Sequence, residues 1–310
     1  MDLLNAAVPV FLIIIAGFAF DRFRWLPDGL DTGVMQLAIK LLVPCLIFDK
    51  VVGSPALDHV QTVFFAIGLG FAHVAISLVI CFAFAPALGL KKGLGLRSFA
   101  LSTAIQNYGF IALPVLGSLF GDGPAAMLFL YGMGVEVATW TLGVGVLSGF
   151  GGGNWKRAIN PPLLAVCGGL AIHYSGVGTM IPGALDRTIT WIGGCAVPMC
   201  LLMIGITISQ QSRSADWALR WPTVLGACGL RLVLLPFLIL ASAAFLPISI
   251  ELKQVLLVQA SMPAAIFPIV LTRMYGGHPP TAIQVVVVTT GLCIVTMPLW
   301  IYFARPWLGL

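Results

Sequence analysis

Two long apolar segments of this chain are each interrupted near the middle by residues that disrupt helices. Residues 97–121 read RSFALSTAIQNYGFIALPVLGSLFG, and residues 253–276 read KQVLLVQASMPAAIFPIVLTRMYG. Each is long enough to cross a bilayer, which takes about 20 mostly apolar residues. The two segments begin half a chain length apart, so they occupy matching places in two halves. Such a matched pair of interrupted segments is typical of the substrate site of a secondary transporter.

The composition indicates that most of the chain lies in lipid. Hydrophobic residues make up 59% of the chain and charged residues 9%, whereas a soluble domain carries about 25% charged residues. The net charge of +5 is weak, and no cluster of Lys and Arg indicates a nucleic-acid partner. The seven cysteines lie in apolar segments without CxxC or His–Cys spacing, so we expect no metal site and no cofactor. The N-terminal MDLLNAAVPVF lacks a basic region before its apolar run and is interpreted as the first membrane helix.

Apolar runs long enough for a membrane helix occur ten times, and the sixth is short. We therefore predict an all-α protein with ten transmembrane helices. They lie near residues 3–20, 33–52, 62–86, 97–119, 124–149, 161–176, 186–208, 221–246, 252–274 and 280–304.

The two halves of the chain resemble each other. LDTGVMQLAIKLLVP in the first half recurs as LDRTITWIGGCAVP in the second, and each interrupted segment is followed by a Gly and a Pro-led helix. We predict a first repeat at 1–150, a cytoplasmic linker at 151–160 and a second repeat at 161–310. Because five crossings is an odd number, the second repeat enters the membrane with the opposite orientation, which makes the repeat inverted.

The Lys and Arg residues of the loops predict the topology, since they concentrate on the cytoplasmic side. The far side, with both termini, holds four: Lys50, Arg187, Lys253 and Arg305. The predicted cytoplasmic loops hold ten, namely Arg22, Arg24, Lys91, Lys92, Arg97, Lys156, Arg157, Arg213, Arg220 and Arg273. We therefore expect a multi-pass protein of the cytoplasmic (inner) membrane with both termini outside.

Four residues mark the predicted breaks of helices 4 and 9. They are Gly109, Pro114, Pro263 and Pro268. A proline inside a helix removes one backbone donor and displaces the carbonyl one turn earlier, and such breaks survive in lipid only where protein or water satisfies the freed groups. If the broken helices cross, the N-termini of their second halves meet near the bilayer midplane, where their partial positive charge favours an anion.

Five polar residues flank the breaks and are the candidate substrate ligands: Gln106, Asn107, Tyr108, Gln259 and Ser261. Amide groups donate hydrogen bonds without bringing a charge, which suits a carboxylate or a hydroxyl group. Among them Asn107 is the first choice as ligand and Ser261 the last. The alternative is that they form ordinary hydrogen bonds between helices.

Ionisable residues inside membrane helices are costly and usually functional. Lys40, Asp49, Glu136 and Arg231 are the candidates for ion coupling. Glu136 lies deep in helix 5 and either carries a proton or a cation or forms a structural ion pair, for which Arg231 is a candidate partner.

At these residues the chain resembles the auxin efflux carrier family, which includes plant PIN transporters and bacterial malonate-type carriers. The chain departs from the plant pattern in lacking a long hydrophilic loop between helices 5 and 6, and in having Glu136 where a Gln is expected. The matching pieces are spread over both halves: KLLVPCLIF (40–48), QNYGFIALPVLGSLFG (106–121), AVPMCLLMIG (196–205), RLVLLP (231–236) and QASMPAAIFPIVLTRMYGGHPP (259–280).

The resemblance implies a fold like that of bile-acid and sodium/proton transporters. Helices 1, 2, 6 and 7 would form a scaffold domain, through which a homodimer could assemble, and helices 3–5 and 8–10 a transporter domain. It also implies crossover residues at Asn107, Pro114, Pro263 and Pro268, and a small organic carboxylate anion carried by an elevator-like motion.

Three other hypotheses about the function remain open. A sodium- or proton-coupled bile-acid-type symporter, or a cation/proton antiporter, would use the same fold but would need carboxylates at the crossover, and neither break contains one. A membrane enzyme would need a constellation such as HExxH or GxSxG, and neither motif occurs. A transporter-like receptor is the third alternative.

Overall fold

A computed structural model describes residues 2–25, 30–57, 60–91, 93, 95–148, 160–213 and 220–310. The predicted linker at 151–160 lies outside these ranges except for Asn160, as do Lys92, Lys156 and Arg157 of the topology prediction. The helices of the described ranges are α1 (Asp2–Arg22), α2 (30–51), α3 (Val60–Phe84), α4 (Leu96–Ala104), α5 (Ala112–Phe120), α6 (Ala125–Ser148), α7 (Pro161–Ser175), α8 (Gly183–Gly194), α9 (Ala196–Ser212), α10 (Trp221–Phe245), α11 (Ile250–Ser261), α12 (Phe267–Met274) and α13 (Pro279–Trp307).

The described residues form helices and a single isolated β-bridge, with no strand among them. Within these ranges five stretches are long and apolar enough to cross a membrane. The chain is therefore an all-α membrane protein, as the composition predicted. These stretches are Val60–Leu88, Ala125–Ser148, Gly183–Gln210, Trp221–Phe245 and Pro279–Trp307.

Helix is absent at 105–111 and at 262–266, in the middle of the two interrupted segments. α11 ends at Ser261 because Pro263 disfavours helical backbone at the residue before it, and Met262 is indeed extended with ψ 143°. Pro114 and Pro268 lie in the first turns of α5 and α12, where a backbone N–H has no helical partner to lose. These prolines therefore begin the second half of each broken helix.

Two of the longer helices contain a widened, π-type turn just before a proline. Residues 38–42 of α2 precede Pro44, and residues 230–234 of α10 precede Pro236. The wider turn makes room for the proline ring, which would otherwise clash with the carbonyl one turn earlier. In α10 the carbonyl of Leu232, which Pro236 leaves without its helical donor, accepts a 2.7 Å hydrogen bond from Nε1 of Trp300.

Glycines bring two helix pairs into backbone contact. A Cβ atom on Gly70 of α3 would lie 2.1 Å from the carbonyl oxygen of Tyr131, and one on Gly134 of α6 would lie 2.0 Å from that of Ile67. The close approach of α3 to α6 thus requires glycine on both sides. Gly17 of α1 and Gly205 of α9 make the same kind of reciprocal contact between those two helices.

Candidate functional site

The two breaks meet and bind each other through their backbones. The Asn107 amide donates to the Pro263 carbonyl at 2.8 Å, and the Ala265 amide donates to the Ile105 carbonyl at 2.9 Å. These bonds form an antiparallel bridge centred on Gln106 and Ala264. The extended residues of each break thus satisfy one another, which is how a membrane protein tolerates non-helical backbone.

Four helix ends converge on this bridge. α4 and α11 end at it with their carbonyl groups, and α5 and α12 begin beside it with their amide groups. The first amides of a helix have no carbonyl partner within the helix and carry a partial positive charge. Two helix N-termini at one place form a region that favours negative charge.

Asn107 is the predicted ligand with an uncommitted donor. It is buried, its Oδ1 accepts a long 3.5 Å hydrogen bond from the Ile111 amide, and its Nδ2 donates to no described protein group. Gln259 is instead engaged, because its Nε2 donates at 2.9 Å to the Tyr108 carbonyl in the other break. Thr289 of α13, which the sequence did not single out, accepts from the Ala264 amide at 3.2 Å.

Gln106 anchors a directed chain of hydrogen bonds. Its Nε2 donates to the Tyr131 hydroxyl at 2.9 Å, which lies 3.0 Å from Nδ1 of His73. Nε2 of His73 lies 3.0 Å from Ser242 Oγ, whose own proton goes to the Ile239 carbonyl. Each hydroxyl both accepts and donates, so the chain is consistent with a neutral imidazole that accepts at Nδ1 and donates at Nε2. The side-chain amide of Gln106 therefore holds the first break against α3, α6 and α10.

Glu136 receives three donors, and Arg231 is not one of them. The Tyr108 hydroxyl donates to its Oε1, while Nε1 of Trp140 at 3.0 Å and Nδ2 of Asn160 at 3.3 Å donate to its Oε2. The pairing of Glu136 with Arg231 suggested from the sequence is absent from the described contacts. Tyr108, predicted as a substrate donor, uses its hydroxyl on Glu136 instead. Trp140 and Asn160 are partners of Glu136 that no sequence pattern predicted.

The remaining candidates fall into two groups. Ser261 and Gly109 lie at the breaks, but the Ser261 hydroxyl donates to the Val258 carbonyl within its own helix. Lys40 and Asp49 contact other parts of α2 and α8: Lys40 is exposed and donates to Gln36, and Asp49 accepts from Thr190. The structure thus brings the crossover candidates together and places Lys40 and Asp49 in contacts away from them.

An all-α membrane protein whose two interrupted helices cross through their breaks has the architecture of a membrane transporter. The chain belongs to the family of membrane transport proteins, since the model of that family matches residues 2–153 and 150–301. The resemblance to the auxin efflux carrier family is thereby confirmed. The family and the relatives are transporters, not enzymes.

Several known proteins are similar in sequence to this chain. A protein described as an uncharacterized transporter of Methanothermobacter thermautotrophicus is 23% identical, over 96% of each chain. A putative malonate transporter of Rhizobium meliloti is 24% identical, over 98% of this chain and 96% of its own. Auxin efflux carrier component 8 of Arabidopsis thaliana is 26% identical over 40% of this chain and 34% of its own.

Proposed function

We propose that this protein is a secondary active transporter that carries a small organic carboxylate anion across the cytoplasmic membrane. Ten membrane crossings form two inverted five-helix repeats, with a scaffold domain from predicted helices 1, 2, 6 and 7 and a transporter domain from helices 3–5 and 8–10. The transporter domain moves as an elevator, both termini lie outside, and the scaffold serves as a homodimer interface. The names of the malonate and auxin relatives support the substrate class.

The observation that carries this proposal is the crossing itself. The N-termini of α5 and α12 lie beside a bridge that holds both breaks, and the amide donor of Asn107 there has no acceptor among the described residues. Amide donors and helix N-termini provide the positive potential and the hydrogen-bond donors that a carboxylate needs.

Two polar contacts join the proposed domains and have to break during an elevator motion. Asn160 caps the start of α7 in the scaffold and also donates to Glu136 of α6 in the transporter domain. Lys50 of α2 pairs at 2.9 Å with Asp122, which lies between α5 and α6. The Lys50–Asp122 pair is largely exposed at the aspartate, so it resists the motion only weakly.

A cation-coupled carrier on the same fold is the second candidate function, and an acceptor atom of Gln259 supports it. Oε1 of Gln259 is buried and accepts no described hydrogen bond. The orientation of this amide is set by its Nε2, which faces the Tyr108 carbonyl. A buried free acceptor at the crossover suits a sodium ion or the proton of an acid. Malonate binding that requires sodium would support this coupling.

Substitutions at Asn107 test the anion site. A hydrogen bond to a charged group contributes about 1.5–3 kcal/mol, so Asn107→Ala should weaken malonate binding roughly 10- to 100-fold. Asn107→Asp should weaken it further, because it places a like charge beside the anion. Calorimetric titration of the purified full chain measures both.

Ser261→Ala is the matched control, since its hydroxyl is engaged within its own helix, and it should bind within about twofold of wild type. If Asn107→Asp binds malonate as tightly as wild type, the crossover is not an anion site.

A further inference from the structure

Arg231 is a fully buried arginine beside the crossover. Its exposed fraction is 0%, and it lies in the widened turn of α10 that precedes Pro236. Its Nη1 donates at 3.4 Å to the carbonyl of Ala104, the last residue of α4 before the first break. The guanidinium is thus attached to the same helix end from which Gln106 and Asn107 follow.

One edge of this guanidinium meets no hydrogen-bond acceptor in the part of the chain that the structure describes. Neither Nε nor Nη2 of Arg231 donates to any group in the described parts of the chain. The N–H groups of these two nitrogens lie on the same edge of the planar guanidinium and point in parallel. That edge matches the two oxygens of a carboxylate, which it binds through two parallel hydrogen bonds.

The charge of Arg231 has no counter-ion among the described residues. Among the described side chains, the ion pairs join Lys50 to Asp49 and Asp122, and Arg213 to Asp21, and none includes Arg231. The described titratable groups that interact electrostatically with it are thiol, phenol and imidazole groups and include no carboxylate: Cys81, Tyr131, Cys293 and His73. A buried arginine stays charged, so an unpaired one calls for an anion from outside the chain.

We infer that the Nε–Nη2 edge of Arg231 binds a carboxylate of the transported anion while Asn107 and the helix N-termini bind the rest of it. This inference rests on the proposed function and deepens it. It assigns the substrate a planar carboxylate end, and it explains why the chain keeps a fixed positive charge at the crossover. The bond from Nη1 to Ala104 orients the guanidinium so that its other edge stays available.

Calorimetric titration of the full chain with malonate tests this inference. Arg231→Gln should weaken malonate binding roughly 100-fold. Arg231→Lys should weaken it roughly 10-fold, because lysine keeps the charge but cannot form the bidentate pair of hydrogen bonds. Arg97→Gln is the matched control: Arg97 lies on α4 and, like Arg231, donates from Nη1 to a backbone carbonyl, that of Leu147, at 3.0 Å. It should bind malonate within about twofold of wild type.

A second measurement covers the case in which the Arg231 variants do not fold. In the wild-type chain, the ¹⁵N resonance of Arg231 Nε should shift when malonate is added, whereas an arginine that only caps Ala104 would not move. An unshifted resonance, or wild-type affinity in Arg231→Gln, overturns the inference. If those results came with weakened binding in Asn107→Ala, the proposed function would stand without Arg231. If wild type bound none of malonate, acetate, succinate and indole-3-acetate, both would fall.

Discussion

The contact between α3 and α6 allows a sharp prediction at Gly70. A Cβ atom there would lie 2.1 Å from the Tyr131 carbonyl oxygen, whereas ordinary contacts begin at 3.4 Å, so the backbones of the two helices must move apart. The obstacle is backbone, which cannot rotate away. Overpacking costs about 1–3 kcal/mol, and alanine recovers up to about 1 kcal/mol in helix propensity. Because the obstacle is backbone, we take the upper end of the overpacking cost and subtract the gain in helix propensity. Gly70→Ala should therefore destabilise the protein by about 2 kcal/mol.

The same substitution should also disturb the candidate site. Tyr131 holds Gln106 at 2.9 Å and contacts His73 at 3.0 Å, so a displaced α6 strains both bonds. Thermal unfolding of the purified chain gives the stability, and malonate titration gives the affinity. Both should fall in Gly70→Ala.

Gly68→Ala is the matched control for Gly70→Ala. Gly68 lies on the same helix two residues away, is exposed, and has open space where its Cβ would stand. This variant should be as stable as wild type or more stable by up to about 1 kcal/mol. Equal unfolding midpoints for the two variants would refute the proposed backbone contact between α3 and α6.

Two further predictions concern α10 and the topology. Trp300→Phe removes the donor to the Leu232 carbonyl and should cost about 1–3 kcal/mol in the free energy of unfolding. Trp191→Phe, at an exposed tryptophan, should change it by less than about 0.5 kcal/mol in the same unfolding assay. Single cysteines at Asn154 and Leu310 in a cysteine-free background should be labelled from opposite sides of the membrane. Labelling of both from one side would contradict the inverted repeat.

The sequence predicted the breaks well because prolines and glycine act locally. Pro263 stops α11 two residues earlier, at Ser261, and α4 stops at Ala104 before the segment that contains Asn107 and Gly109. The all-α membrane class followed from composition, which needs no knowledge of packing. The choice of Asn107 over Ser261 as ligand remains a prediction. The geometry favours it because Asn107 Nδ2 has no described acceptor, whereas the Ser261 hydroxyl donates to the Val258 carbonyl.

The side-chain partners across helices could not be predicted. α6 and α10 are apolar over most of their length, so periodicity does not fix how each helix is rotated about its axis. Glu136 and Arg231 therefore looked like a pair by charge alone, whereas Glu136 faces Tyr108, Trp140 and Asn160. The role of Tyr131 was hidden for the same reason, since its partners Gln106, in the first break, and His73, on α3, are distant from it in sequence.

The central claim is that the crossover of the two broken helices binds an organic anion. A cryo-electron microscopy structure of the full chain with saturating malonate tests it most directly. The account predicts density for the anion within hydrogen-bond distance of Asn107 Nδ2, beside the first turns of α5 and α12. Malonate bound elsewhere in the chain, with the crossover unoccupied, would contradict it.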